Sequence, residues 1–375
     1  MDEMTYEEKK RACMKIGILN LALDNNYGGN LQRFALISFL RKLGHQVKHI
    51  QIKGYDSLPW YKVPYAYPKR FLMKFVLHKI NHVRQEKFSN QEQKDLWTTI
   101  EPFYEHYVPH TEVVENKEQL KIVSDLENFD AVIVGSDQVW RSSMTRCFGM
   151  SSYMLDFVSK DKTKKIAYAV SLGVDYPELN SKQAKHLNVF YSQFNAVSVR
   201  EFSALKLFDQ YGWTCPRADV CVDPTLLLDA EDYNLVVDNA NVNDCTTGKI
   251  FAYLLDASSE KENRIKAESI AKKCAVYCMG LHDALTSIEQ WLNNIRNAEM
   301  VVTESFHGVV FSIIYDKPFL FLGNQRRGNA RLVSLLMMLD ADPRNMDCFI
   351  RVENKTKLAD ARKKSADFLR NALES

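Results

Sequence analysis

The segment E-M-V-V-T-E-S-F-H-G-V-V-F-S-I-I, residues 299–314, decides how this chain is read. Residues 300–302 are a short apolar run of strand character, and residues 309–314 are a second apolar run leading to Pro318. A polar turn, residues 303–308, separates them. Buried strand, tight turn and buried helix follow one another, the alternation of an α/β fold. Ser305 is placed to N-cap the helix, turning free backbone N–H groups toward His307. Gly308, lacking a Cβ, would let a ligand approach the backbone. An imidazole beside a helix N-terminus suits anion binding and proton transfer. A histidine that merely satisfies a hydrogen bond in the turn fits the local pattern equally well.

The alternation recurs toward the N-terminus. Residues 16–21 read as a strand, 31–43 as a helix stopped by Gly44, and 47–52 as a second strand. The loop at 24–30 is rich in Asn and Gly and lies at a strand's C-terminal end, where α/β sheets bind ligands. It is not G-x-G-x-x-G, so a dinucleotide fingerprint is absent. Asn26, Tyr27, Gly28, Asn30 and Gln32 are candidates to hold sugar hydroxyls or phosphate, although the loop also reads as a plain glycine turn. Residues 130–140, D-A-V-I-V-G-S-D-Q-V-W, form a buried strand ending in Ser136, Asp137 and Gln138. Asp137 could accept a hydroxyl proton or cap the turn. Residues 196–201 are another strand with Arg200 at its tip, suited to bidentate binding of a carboxylate or phosphate, or to a salt bridge with Glu201 or a neighbouring acid. Asp223-Pro224-Thr225 reads as a chain turn.

A second series begins near residue 247, with strands at 250–255, 275–279 and 319–322 and helices between them. The pattern predicts two Rossmann-like, doubly wound α/β domains facing across a cleft. Residues 1–229 form the N-terminal domain, 230–246 a linker with a short helix, and 247–351 the C-terminal domain. Residues 352–375 form a helix expected to pack back on the first domain. The basic loop at 323–329 carries Arg326 and Arg327, with Arg331 just beyond. It reads as a solvated loop or, by charge, as a phosphate clamp.

The net charge of +2 over 375 residues makes no global case for nucleic acid. None of the eight cysteines forms a C-x-x-C pair, so neither structural zinc nor a disulfide framework is expected, and a reducing cytoplasm fits. The charged N-terminus is not a signal peptide, and no apolar run is long enough to span a bilayer. No H-E-x-x-H, paired-Asp or G-x-x-x-x-G-K-[ST] motif is present, so no metal, cofactor or nucleotide-triphosphate hydrolysis is expected. Residues 57–90 stand apart. No acidic residue occurs between Asp56 and Glu86, while Lys62, Lys69, Arg70, Lys74, Lys79 and Arg84 alternate with Trp60, Tyr61, Tyr65, Tyr67, Phe71 and Phe75. Residues 71–83 could form an amphipathic helix. This composition suits an anionic membrane surface or a lipid pyrophosphate, as it would nucleic acid, or an insertion packing its aromatics on the core.

Together these motifs resemble the polysaccharide pyruvyl transferase family. The matching pieces are N-Y-G-G-N-L-Q at 26–32, D-A-V-I-V-G-S-D-Q-V-W at 130–140, V-S-V-R-E at 197–201, V-D-P-T-L-L-L at 222–228 and T-E-S-F-H-G-V-V-F-S-I at 303–313. Gly29-Asn30 departs from the small apolar pair that many members carry, and 57–90 lies outside the common pattern. The resemblance implies a fold like the two-domain GT-B glycosyltransferases. It implies transfer of pyruvate from phosphoenolpyruvate, a co-substrate, onto two hydroxyls of a sugar as a cyclic ketal, in making a bacterial surface polysaccharide. It puts Arg200 and His307 on phosphoenolpyruvate, with Arg331 a weaker carry-over. Ser305 and Gly308 adjoin that site, and Arg326 and Arg327 are added on charge. The expected roles are His307 as general acid or phosphate ligand and Asp137 as base or hydroxyl-orienting group. The acceptor is expected to be lipid-linked, with peripheral contact at the inner face of the cytoplasmic membrane through 57–90. Two rivals stand beside this reading. One is a GT-B glycosyltransferase using a nucleotide-sugar, with Glu304 or Glu201 on the ribose. The other is a non-catalytic carbohydrate-binding assembly protein.

Overall fold

A computed structural model of the chain describes residues 13–54, 63–75, 94, 96, 98–145, 148–256, 258–280, 286–323, 329–343 and 348–374. Arg326 and Arg327 lie outside the described residues, as do Trp60, Tyr61, Lys62, Lys79 and Arg84.

Short runs rich in Val, Ile and Ala make the strands, and most are apolar throughout because helices cover both faces. The first sheet is built from β1 (Lys15–Leu19), β2 (Gln46–His49), β3 (Ala131–Val134), β4 (Lys164–Val170), β5 (Ala196–Val199) and β6 (Ala218–Val220). Its order is β2-β1-β3-β4-β5-β6, with every pairing parallel. The second sheet holds β7 (Lys249–Leu254), β8 (Ala275–Gly280), β9 (Met300–Thr303) and β10 (Phe319–Phe321) in the order β10-β9-β7-β8, again parallel. The strand order reverses between β1 and β3 in one sheet and between β7 and β9 in the other. Ligands of doubly wound sheets bind at such switch points, beyond the strands' C-terminal ends. The chain therefore has two Rossmann-like units of the GT-B type.

Several boundaries move from the sequence reading. The helix after β1 spans Tyr27–Lys42, so Tyr27, Gly28, Gly29 and Asn30 form its first turn and are not loop. Asn26 caps it, its Oδ1 accepting from Gly29 N at 3.2 Å. β2 ends at His49 because the chain then pairs singly with the segment at 110–114, through His49 with His110 and Ile52 with Val114. The segment after residue 229 begins as a helix, Ala230–Asp238, fixed by a reciprocal cap between Asp229 and Asp232. In the basic–aromatic segment a helix covers Val63–Phe75, starting earlier than residue 71 and containing Pro68.

One apolar core runs through both units. Ile16 and Ile133 of the first sheet belong to the same buried cluster as Val222, Leu226 and Tyr233, and as Phe251, Trp291, Val309 and Leu369. The ring of Tyr27 lies flat on Trp291 at 5.5 Å, and its hydroxyl donates to Thr286 O at 2.9 Å. Fully burying each such side chain contributes ~1.5–3 kcal/mol, so the first turn of the Tyr27 helix pins the two units together. The helix Lys355–Glu374 packs against the first unit: Ser365 Oγ accepts from Val222 N at 3.0 Å, and Arg362 pairs with Asp229 at 2.6 Å.

Candidate active site

The two switch points face each other around a cavity of about 370 Å3. From the first unit it is lined by Asp24, Asn25 and Asn26 after β1, and by Asp137, Gln138 and Arg141 after β3. From the second come Glu304, Ser305, Phe306 and His307 after β9, and Arg331 at the start of the helix Ala330–Met338.

Asp223 is the hub beneath this cavity. Its Oδ1 caps the turn Pro224–Leu227, accepting from Thr225 N at 3.1 Å and Thr225 Oγ1 at 2.7 Å. Its Oδ2 faces the other way, 2.5 Å from Arg200 Nη1, 3.3 Å from Ser136 Oγ and 3.6 Å from His307 Nε2. The last distance is an ion-pair separation, too long for a hydrogen bond. Burial opposes ionisation of Asp223, but its interactions with His307, Arg200 and Thr225 hold the carboxyl well below the usual carboxylate range. Arg200, 1% exposed, thus lies one layer behind the cavity wall, where Asp223 and Asp137 outweigh the cost of burying its charge.

Asp137 joins the two units. It has a left-handed backbone, φ 76°, a conformation concentrated at functional sites in non-glycine residues. Its Oδ1 is 3.4 Å from Arg200 Nη2 and 3.8 Å from Arg331 Nη1. Both guanidiniums also lie over the ring of Phe306, at 4.7 Å for Arg200 and 5.7 Å for Arg331. Burial, and next the like charge of Arg200, bring Arg331 down to about 10. A guanidinium stays protonated under working conditions, so this is the signature of crowded cations that an incoming anion would relieve.

The sequence candidates separate into three groups. Asn26, Asp137, Gln138, Ser305, His307 and Arg331 line the cavity. Arg200 and Ser136 support it from below. Tyr27, Gly28, Asn30, Gln32 and Gly308 do not reach it. Tyr27 is spent on Thr286 and Trp291, and Gln32 is buried. Asn30 donates from Nδ2 to Asp24 O at 2.9 Å and Asn26 O at 3.1 Å. Gly308 makes room for Thr303 and not for a ligand, since a Cβ there would meet Thr303 Oγ1 at 2.5 Å. The missing Cβ of Gly28 likewise seats the imidazole of His307.

Neither glutamate suggested for a ribose is available for one. Glu304 is buried, accepting from Leu255 N at 2.6 Å, Asp256 N at 2.5 Å and Lys261 Nζ at 2.6 Å. Glu201 Oε1 accepts from Ser171 Oγ and Leu172 N, both at 2.9 Å. Asp223 was missed because Asp-Pro-Thr explains itself as a turn; the second oxygen's partners arrive from distant strands.

Paired Rossmann-like units with a polar inter-unit cavity define a two-domain α/β scaffold that sets its site between the units. The model of the polysaccharide pyruvyl transferase family matches residues 26–326, so the chain belongs to that family and is an enzyme of its kind. Among curated proteins none matches. Solved structures similar to it include S. aureus MnaA with UDP, at 12% identity over 94% of this chain and 88% of that one, TM-score 0.49. UDP-GlcNAc 2-epimerase from Neisseria meningitidis, bound to UDP-GlcNAc, is 10% identical over 95% and 99%, TM-score 0.48. An alpha-glucosyltransferase in complex with UDP is 10% identical over 95% of each chain, TM-score 0.44.

Proposed function

We propose that the enzyme transfers the pyruvyl skeleton of phosphoenolpyruvate onto two hydroxyls of one sugar, releasing phosphate. The observation that carries this reading is the convergence of Arg200, Arg331 and His307, from both units, around one inter-unit cavity. Phosphoenolpyruvate has a carboxylate and a phosphate, and a cation cluster on two sides of a cavity suits both. Arg331 contacts the anion directly. Arg200 acts from behind, fixing Asp137 and adding its field in a site largely withdrawn from water.

The chemistry then runs as follows. A proton added to C3 of the enol leaves a cationic C2. The first sugar hydroxyl attacks C2, giving its proton to Asp137. The C2–O bond to phosphate breaks with protonation by His307. The second hydroxyl attacks C2 and gives up its proton, closing the ketal. Of the two hydroxyl protons released, one balances C3 and the other leaves with phosphate. Asp137 and Asn26 orient the acceptor, and Asp223 holds His307 and Arg200 in place.

The acceptor is a hexose of a lipid-linked surface-polysaccharide precursor, met at the inner face of the cytoplasmic membrane. Among the described residues no helix is long and apolar enough to cross a membrane. The helix Val63–Phe75 supports surface docking: Tyr65, Phe71, Leu72 and Phe75 are exposed, and Lys69, Arg70 and Lys74 are its only charged residues.

The deciding experiment incubates the enzyme with phosphoenolpyruvate and candidate hexosides, following phosphate release and the acceptor's mass. A pyruvyl-bearing product is expected; transfer from a nucleotide-sugar instead would overturn the reading. Sedimentation with phosphatidylglycerol vesicles tests docking, which Phe71→Glu with Leu72→Glu should abolish.

A further inference from the structure

The first-unit wall of the cavity is held from beneath by a buried cation that the reaction above does not use. Arg33 is 3% exposed, on the second turn of the Tyr27 helix. Its hydrogen bonds go to neutral groups: Nε to His49 Nε2 at 3.1 Å, Nη1 to Asn30 Oδ1 at 2.7 Å and Nη2 to Leu21 O at 2.9 Å. A buried guanidinium without a directly bonded carboxylate is costly. Such a departure from stable design is characteristic of functional sites.

The rest of the network shows where that cost is directed. Asn30, fixed through its oxygen by Arg33, uses its amide nitrogen to hold the carbonyls of Asp24 and Asn26. Two side chains of one helix therefore grip three carbonyls of the preceding loop: Leu21, Asp24 and Asn26. Asp24, Asn25 and Asn26 are the part of that loop that lines the cavity. On the far side, burial, then Arg33, then His110 hold the His49 imidazole well below its ordinary value. It is neutral, and Arg33 takes its Nε2 as acceptor, so its proton sits on Nδ1 toward Tyr104 Oη, 2.7 Å away.

We propose that Arg33 is a positioning residue for the sugar acceptor, acting through Leu21 and Asn30 to fix the 21–26 loop in its binding shape. The role rests on the assignment of that loop to the acceptor. It adds a residue that touches neither substrate but sets how tightly the acceptor binds. The planar fork is essential, because three acceptors in different directions must be met at once; a lysine keeps the charge and loses the geometry.

The test does not depend on knowing the natural acceptor. Amide hydrogen exchange is measured across residues 20–29 in the intact protein and in Arg33→Met, Arg33→Lys and Asn30→Asp. Asn30→Asp retains an oxygen for Arg33 but removes the donor to Asp24 and Asn26, so it cuts the network without orphaning the guanidinium. All three variants should exchange ~10-fold or more faster in the loop, with β1 and β3 amides unchanged. Steady-state kinetics with p-nitrophenyl β-D-galactopyranoside as acceptor probe should show its KM raised ~10-fold or more and the KM for phosphoenolpyruvate within about twofold. Unchanged loop exchange in Asn30→Asp overturns the proposal, as does full restoration by Arg33→Lys or an equal rise in both KM values. Absence of turnover in the wild-type protein with this probe would count against the acceptor reading, while loop exchange would still decide the clamp.

Discussion

Gly28 presents its bare Cα to the imidazole of His307: a Cβ at this position would lie 1.9 Å from Nδ1 and 2.1 Å from Cγ. The two residues are 279 apart in sequence (307 minus 28) and belong to different units. The second unit's histidine is thus shaped by a hole in the first unit's helix. The contact involves the near side of the ring, so no small rotation relieves it. Gly28→Ala should displace His307 from Asp223 and lower kcat by ~100-fold or more, with overpacking costing ~1–3 kcal/mol of stability. Thermal unfolding and steady-state kinetics check both. A variant with near-normal kcat would show that the position of His307 is not critical.

Asp223→Asn tests the hub. The amide keeps the shape but leaves Arg200, 1% exposed, without its closest counter-charge. Breaking such a pair costs ~3–5 kcal/mol. The folded-state carboxyl is held well below its ordinary value, so the unfolded chain binds its proton first on acidification. The wild-type advantage is fully present above the unfolded pKa of about 3.9. It is lost as the pH falls below that value through the depressed folded one. Urea melts of both proteins from pH 7 to pH 3 should therefore show a constant gap that begins to narrow only below about pH 4. A gap that stays constant throughout would mean the carboxylate's charge is not what stabilises the site.

At Lys165 the charged form is the one the fold disfavours. It is buried on β4, its Nζ donating to Gln193 Oε1 at 2.8 Å, and burial, despite Asp156, brings it down to about 8. Between pH 8 and the ordinary lysine value of about 10.4 the unfolded chain holds a proton that the folded one has released. Stability contributed at this position rises with pH through that window. Below it the folded protein bears the whole cost of a buried ammonium. Lys165→Met should raise Tm at pH 7, and the gap to wild type should narrow from pH 8 to pH 10. A gap that does not change with pH would assign the lysine an exposed, solvated charge.

Much of the fold was legible because the strands are short, apolar and punctuated. β3 and β9, each followed by a polar turn, place Asp137 and His307 at strand tips from pattern alone. The resemblance added the pairing of Arg200 with His307 across the two units. What stayed hidden was the direction of small side chains. Gly28 and Gly308 looked like places for a ligand, but each accommodates a neighbouring side chain instead. Asn30 looked like a sugar ligand, but it ties a loop to its own helix. Asp223 read only as part of a chain turn, but a carboxylate has two oxygens, and the second gathers Arg200, Ser136 and His307. These facts depend on contacts between distant segments, which a local reading does not contain.

Phe306 deserves its own test because one ring underlies both arginines, from opposite units, at 4.7 and 5.7 Å. A guanidinium over an aromatic face gains ~0.5–2 kcal/mol, the larger figure where water is excluded. The ring is itself buried against both cations, and its loss would admit water and weaken every charge in the site. Phe306→Leu keeps an apolar side chain but removes the π face. It should raise the KM for phosphoenolpyruvate by ~10-fold while Tm falls by only a few degrees. Phe306→Tyr preserves the face and should stay within about threefold of wild type. If leucine and tyrosine behaved alike, the ring would be acting as filler, and the arrangement of Arg200 and Arg331 would have to come from Asp137 alone.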